Sequence, residues 1–370
     1  MENSFVHLHA HTEYSMLDGA AKIEPFLNRI LELEQPGAAI TDHGNLYGAL
    51  EFYNSAIKKK LKPIIGYEAY VISDSRFERP DRKNNKRYHL TLLAENTVGY
   101  WNLVEMASKA FTEGYYYKPR IDYELLKKYS EGIIALSGCL GGEIAQLLAP
   151  DGSVEEGNQG QTRSFDDALK KAEFYQSIFG ENNFFIELHK HGIKQQEDIL
   201  PDLLKISEKL SAPLVAANDS HYVHSDDASA HDALLCVQTN ATLDDENRFK
   251  FDGSGFYIKS SEEMRDLFPN EEFPNACNNT LKILDRVEYE FEKDTYYLPD
   301  FPIDDSNKNV DEYLKDKVYQ GAEGLYGELT SELEERINYE LEVIESMGFA
   351  SYFLIVGDLI NYAKSNGIRT

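Results

Sequence analysis

The sequence predicts an α/β fold, a closed or nearly closed barrel followed by a mainly helical segment, and three observations predict it. Seven short apolar runs fill the first two-thirds of the 370 residues, each bordered by polar residues that include histidine, cysteine or a carboxylate. Segments of helical period lie between them, the alternation that makes parallel βαβ units. After about residue 285 the strand-like runs stop. In barrels of parallel strands, the strand ends and the loops after them gather on one face. Residues far apart in sequence are therefore expected to meet there.

The first run, 5–11, reads Phe5-Val6-His7-Leu8-His9-Ala10-His11. The second, 37–40, ends in Thr41-Asp42-His43-Gly44, and the third, 63–66, in Tyr67-Glu68. The fourth, 90–93, is preceded rather than followed by its histidine, His89. The fifth, 132–136, ends in Ser137-Gly138-Cys139 and the sixth, 184–188, in His189-Lys190-His191. The seventh, 213–217, ends in Asn218-Asp219-Ser220-His221. Between the first two, Ile23, Phe26, Leu27, Ile30 and Leu31 keep a helical period; Leu33 falls off that face and Pro36-Gly37 stops the helix. Residues 100–111, 165–179 and 199–210 read the same way, while 150–160, rich in Gly, Ser and acidic residues, reads as a surface loop.

Residues 299–304 read as a linker, and helices follow. Ser331 with Glu334 predicts a capping box, Leu333, Ile337, Leu341 and Ile344 an apolar face, and Gly348 a stop. Residues 351–363 predict a second, apolar helix. No closing signal precedes Thr370, so a continuation is expected. The expected domains are 1–285, the barrel, and 286–370, the helical part.

A hydrophobic fraction of 42% and a charged fraction of 27% are those of an ordinary soluble globular protein. No apolar run approaches the length of a membrane span, residues 1–4 do not open a signal peptide, and three cysteines make no disulfide framework. A cytoplasmic location without membrane partners is expected. The net charge of −27 argues against a general grip on nucleic acid by phosphate neutralisation, though divalent cations would reverse the local sign of a carboxylate-rich site. Residues 76–87 are locally basic and include Arg82 and Lys83.

Nine residues are candidate metal ligands: His9, His11, Asp18, His43, Glu68, His89, Cys139, Asp219 and His221. The His9/His11 and Asp219/His221 pairs are each spaced by two, which sets both members on one side of a strand end. Imidazole with carboxylate suits Zn, Mn or Fe. Nine ligands exceed one ion's needs, so two or three ions are expected, with Glu68 bridging. Clustered ions of this kind serve phosphoester hydrolysis. His7 is placed behind the ligands, orienting one by a hydrogen bond. His189, His191, His224 and His231 are set aside as non-ligands.

The motifs His9-Ala10-His11-Thr12-Glu13-Tyr14-Ser15, Leu17-Asp18-Gly19, Thr41-Asp42-His43-Gly44 and Gly66-Tyr67-Glu68 resemble the polymerase-and-histidinol-phosphatase (PHP) family. With Gly114-Tyr115-Tyr116-Tyr117-Lys118-Pro119-Arg120, Ser137-Gly138-Cys139-Leu140-Gly141-Gly142 and the stretch 347–356, the resemblance extends to the N-terminal part of bacterial replicative DNA polymerase III alpha subunits. It implies a distorted (β/α)7 barrel leading into the opening of a polymerase palm. It also implies three ion sites: His9, His11, Glu68 and Asp219; Glu68, His89 and Cys139; and Asp18, His43 and His221.

On this resemblance the chain is expected to be part of a DNA-replicating nucleotidyltransferase, without the catalytic aspartates of polymerisation, whose barrel is a 3′–5′ proofreading exonuclease. Asp18, Glu68 and Asp219 are the carboxylates expected to carry catalysis through the ions. Arg120, Tyr14, Arg82 and Lys83 are expected to touch DNA. A primer–template and replisome subunits, including a sliding clamp reached through a longer chain, are the implied partners. The competing readings are a metal-stabilised, non-catalytic platform and a small-molecule phosphatase.

Overall fold

The structure, a computed structural model, describes residues 3–81, 84–150, 162–251, 255–291, 297, 299–303 and 308–370. Arg82, Lys83 and nearly all of the expected loop 150–160 lie outside these residues. The chain divides into two compact units, Met1–Glu290 and Phe291–Thr370. The first runs past residue 285 because its closing residues are tied to the sheet. The Tyr289 hydroxyl bonds to the amide of Ile65, and Glu288 N donates to the carbonyl of Glu95.

The barrel unit is built on β1 (Gly37–Ile40), β2 (Lys62–Ile72), β3 (Tyr88–Ala94), β4 (Arg120–Asp122), β5 (Ile133–Leu136), β6 (Phe184–Leu188) and β7 (Leu214–Ala216). The sheet order is β1-β2-β3-β5-β6-β7, with the short β4 added to the far end of β2. Two expectations are corrected here. First, the strands are not all parallel: β3 runs antiparallel to both β2 and β5. The connection from β2 to β3 carries no α-helix among its described residues, and without a crossover helix the chain returns in the opposite direction. This explains why His89 stands before its apolar run: on a reversed strand, the first residues lie at the end where the other strands finish.

Second, residues 5–11 are extended but form no regular strand. They still close the ring. Ala39 N donates to His7 O and Thr41 N to Ala10 O on one side, while His11 N donates to Ser220 O and Ser220 N to His9 O on the other. A regular strand sends consecutive side chains to opposite faces. Here Leu8 joins the apolar interior while the neighbouring His9 bonds to Glu187 inside the same barrel, which a regular pleat does not allow.

Elsewhere the pleat sorts the residues. Ile64, Leu93, Ile134, Leu136, Phe185 and Val215 fill the interior with Val6, Leu8 and Ala39. Leu90, Leu92, Ile133, Ala135, Phe184 and Ile186 belong to the outer core, packed with residues such as Leu103 and Met106 of the helix Thr97–Thr112. That helix begins before residue 100 because Asn96 caps it, accepting from Gly99 N. Helix Ala276–Arg286 covers the floor: Ile283 and Leu284 join the interior cluster, and Asn279 donates to the carbonyl of Leu214.

In the second unit, helices Val310–Tyr326 and Ala350–Ser365 share a small core of Leu314, Ala350 and Leu354, against which Leu341 and Ile344 of helix Ser331–Ser346 pack half-buried. The middle helix is capped by Thr330, one residue before the expected cap, and Gly348 sits at φ 70 just beyond its end. Leu325, Tyr339, Tyr352, Phe353, Leu359 and Tyr362 are exposed. Among the described residues, no single helix is long and apolar enough to cross a membrane.

Candidate metal centre

The mouth of the barrel opposite this floor gathers the nine candidate ligands. Glu68, at mid-strand in β2 and 1% exposed, is the hub. Its Oε1 lies 3.4 Å from His9 Nε2, 3.0 Å from His89 Nδ1 and 3.5 Å from Cys139 Sγ. Its Oε2 lies 2.6 Å from His43 Nδ1 and 3.7 Å from His11 Nε2. Asp219 Oδ1 is 3.4 Å from His9 Nε2, 3.1 Å from His11 Nε2 and 3.6 Å from His221 Nδ1. Asp18 Oδ2 is 2.9 Å from His43 Nε2. The His11 ring stacks against His221 at 4.3 Å and lies 4.1 Å from that of His43.

Buried polar atoms are normally hydrogen-bonded. Here His9 Nε2, His11 Nε2, Asp18 Oδ1, His43 Nδ1, Glu68 Oε2 and Asp219 Oδ1 are buried, and the close polar neighbours they have are one another, with His43 Nδ1 against Glu68 Oε2 at 2.6 Å and His11 Nε2 against Asp219 Oδ1 at 3.1 Å. They belong to the same ligand set. Atoms sharing a cation at roughly 2.0–2.3 Å stand about 3–3.7 Å from one another, the spacing seen here. Among the described residues four groups, His9/His11/Asp219, His43/Glu68/His89, His11/His43/His221 and His9/Glu187/His189, each bring their donor atoms within 4.8 Å, the last including His189, which the sequence reading set aside. The residues fit divalent cations in number, type and orientation.

The electrostatics are those of a site that expects positive charge. Burial pushes the Glu68 carboxyl up, but His89, His43 and His9 outweigh it and hold it well below the usual range. Asp219 is likewise held low, by His9, His221 and His11 against burial. Burial lowers His9 and His43, yet Asp219, Glu187 and Glu68 raise the first, and Tyr70, Glu68 and Asp18 the second, well above an ordinary imidazole. His11 is the contrast: burial, with His43 and His221 beside it, lowers it to about 3. Burial and the nearby Glu68 raise the Cys139 thiol to about 11.

Behind the ligands stands a layer that orients them. Glu187, fully buried on β6, bonds to His9 Nδ1 at 2.7 Å and accepts from Gly138 N and Thr91 Oγ1. His189 Nε2 lies 3.1 Å from the same carboxylate. Asp42 accepts from the Thr12 amide and hydroxyl and from Ser15 Oγ, and Ser15 in turn bonds to His11 Nδ1. Asp219 stands at φ 42, a left-handed backbone uncommon for a residue other than glycine. Its neighbour Asn218 is fixed from every side, donating to the carbonyls of Gly255 and Tyr257 and accepting from Lys259 Nζ at 2.8 Å. His231 Nε2 bonds to the carbonyl of Asp18, steadying that loop.

Glu187 and Asp42 had no assigned role from the sequence. Glu187 did leave a signal, a lone charge inside the apolar run 184–188, where an unpaired carboxylate is rarely buried. His7 bonds to the carbonyl of Lys259, not to a ligand, so it does not orient the centre. His191 is held between Asn218 O and Gln196 and stacks on Phe256; His224 heads a turn at the surface.

The expected DNA contacts fare differently. Arg120 is 1% exposed, and its guanidinium donates to the carbonyls of Gly114, Arg76 and Glu78 and to Asn85 Oδ1. Three of these four donations go to the chain between β2 and β3 and one to Gly114, so the buried guanidinium is turned inward onto the fold and not toward a solvent-borne phosphate. The Tyr14 hydroxyl donates to Glu51, and its ring lies over Gly48.

Fold and site together define an α/β protein whose barrel mouth gathers residues that could hold metal ions. The model of the PHP domain matches residues 7–191, half of the chain, and the chain belongs to the PHP family. A second model, that of the bacterial DNA polymerase III alpha NTPase domain, matches residues 312–370. The chain is 43% identical over 366 residues to DNA polymerase III subunit alpha of Borreliella burgdorferi and 44% identical over 384 residues to that of Mycobacterium tuberculosis H37Rv. Those alignments cover 98% and 99% of this chain and 31% of each relative, so the chain spans about a third of their length. A solved structure from Bifidobacterium adolescentis, assigned as a metal-dependent phosphoesterase, aligns at 14% identity and TM-score 0.37 over 58% of this chain and 87% of its own.

Proposed function

We propose that the barrel unit is a metal-dependent phosphodiesterase that removes nucleotides from the 3′ end of DNA, within the N-terminal part of a replicative polymerase alpha subunit. The observation that carries this reading is the set of buried carboxylate and imidazole ligand atoms directed at one another in the mouth. Two or three Mn, Zn or Fe ions bound there would supply an activated water and neutralise charge on phosphorus and the leaving oxygen. Glu68 would be shared between ions, since its two oxygens reach different imidazoles. His9, His11 and Asp219 would hold one ion, His89 and Cys139 with Glu68 a second, and Asp18, His43 and His221 a third. Glu187 holds the His9 ring with Nε2 turned to the mouth, and Ser15 does the same for His11.

The segment 291–370 is read as the opening of the polymerase region, supported by the second family match. DNA and other replisome subunits are the partners this implies. The test is a labelled, 3′-mismatched primer–template followed by gel with the Mn²⁺-loaded chain, beside Asp219→Asn. Stepwise 3′ loss from the wild type, reduced about 10²–10³-fold in the variant, is expected, the scale of losing one preorganised electrostatic stabiliser. No loss from either protein, with ions shown bound, would sink the exonuclease reading and leave the barrel a metal-stabilised platform.

A further inference from the structure

One wall beside the mouth exposes aromatic rings that touch each other instead of burying themselves. Tyr47, Phe111 and Tyr115, 62%, 37% and 54% exposed, form a row with centroids 6.1 and 6.0 Å apart. Tyr117, 56% exposed, stands in the same loop at φ 63, a backbone that bulky side chains rarely adopt. Tyr116 beneath it lies 4.6 Å from its ring and carries the Arg120 guanidinium at 5.2 Å.

The row is continuous with the metal centre. Tyr47 N bonds to Asn45 Oδ1, and the Asn45 amide donates to the carbonyls of His43 and Tyr14. Gly44, next to His43, lies so close to Pro119 that a Cβ there would meet the proline ring at 2.7 Å. Lys118 Nζ sits 5.2 Å from the ring of Tyr70, which stacks on His43 at 6.0 Å. The Tyr47 and Tyr115 ends of the row thus each belong to a loop that reaches His43, with Lys118 on that side.

Chemistry selects the occupant. With a net charge of −27, the chain has no general means of gripping a phosphate backbone. Stacking needs no net charge, because every base has a π-face. Bases inside a duplex are already stacked and show only their edges.

We propose that Tyr47, Phe111 and Tyr115 are a stacking platform for unpaired bases of a nucleic-acid strand whose terminal phosphodiester enters the metal centre, with Lys118 beside a backbone phosphate at the rim. The identity of the destination rests on the phosphodiesterase reading; the platform itself does not. Two separate measurements keep them apart. Hydrolysis of bis(p-nitrophenyl) phosphate by the Mn²⁺-loaded wild type tests the metal chemistry without the platform. Anisotropy of fluorescein-labelled dT12 with the full 370-residue chain in EDTA tests the platform without metal.

In the second assay the wild type should bind dT12 more tightly than a blunt duplex of equal length, with a shallow dependence on salt. The double variant Tyr47→Ala/Tyr115→Ala should bind at least tenfold more weakly, and Tyr47→Phe/Tyr115→Phe should bind like the wild type, all three melting at comparable temperatures. Wild type that ignores dT12, or an alanine pair that binds it unchanged, overturns the proposal and makes this wall a contact for another protein.

Discussion

The floor and the mouth of the barrel are built by the same strands to opposite ends. β2 gives Ile64 to the floor and Glu68 to the mouth; β3 gives Leu93 and His89; β6 gives Phe185 and Glu187. Each pair shares a face of its strand, separated by two or four residues. The floor is complete in itself, an apolar cluster closed by Ile283, Leu284 and Val287. The mouth is of another kind, because its ligand atoms are buried against one another, carboxylates among imidazoles. The difference teaches that cations are needed for one end of this barrel only, so metal removal and core damage should be separable.

Asp219→Asn bears most heavily on the mouth, as set out above, and should leave far-ultraviolet circular dichroism unchanged. Leu93→Ala is its counterpart on the floor. It should cost about 2–5 kcal/mol of stability, the usual range for emptying a buried leucine site. Metal stoichiometry by atomic emission should stay that of the wild type. A variant that loses ions as well as stability would show that floor and mouth are one cooperative structure, and would break the comparison.

Glu187→Gln sharpens the boundary between them, because Glu187 touches no proposed substrate and stands between Phe185 and the ligands. Losing an orienting partner of a metal-bound histidine typically costs 10–100-fold in metal affinity. Mn²⁺ titration by calorimetry should show a loss of about that size in the class of site that includes His9. An unchanged affinity would mean that packing alone holds the His9 ring.

Much of this division was legible in the sequence, and for a physical reason. Ligands such as His9, His43, Cys139 and Asp219 sit where apolar runs give way to polar residues, and closing the sheet brings those points together. The residues that escaped reading act through partners that only the fold supplies. Arg120 was expected to touch DNA, and sequence does not show whether an arginine faces solvent or the fold; here its donors meet carbonyls from residues 76, 78 and 114. The reversal of β3 was hidden for the same reason: direction depends on the connection, and an apolar run reads identically either way. The His89 position was its one trace.

The smallest effect expected is also the one that reports on the mouth without disturbing it. In the metal-free chain His9 and His43 have raised values, so their stabilising charge interactions are fully present below about pH 6.5 and are lost as pH rises through their folded values. Glu68, Asp219 and Glu187, the last lowered to about 2, stabilise above the ordinary carboxylate range and fail only as pH falls through their own folded values. Metal-free protein should therefore lose stability on the alkaline side, where the imidazoles give up their protons. Divalent cations bind the unprotonated imidazole and displace those protons. Mn²⁺ affinity should accordingly rise from pH 6 to 8, and calorimetry in two buffers of different ionisation enthalpy should show net release of at least about one proton per chain. His11, already neutral, contributes nothing to that count. Thermal melts in EDTA and in Mn²⁺ should diverge as pH rises, because only the metal-free curve declines. Parallel curves with no proton release would mean that His9 and His43 are neutral before metal arrives, and that the acids of the mouth are balanced by something other than its own histidines.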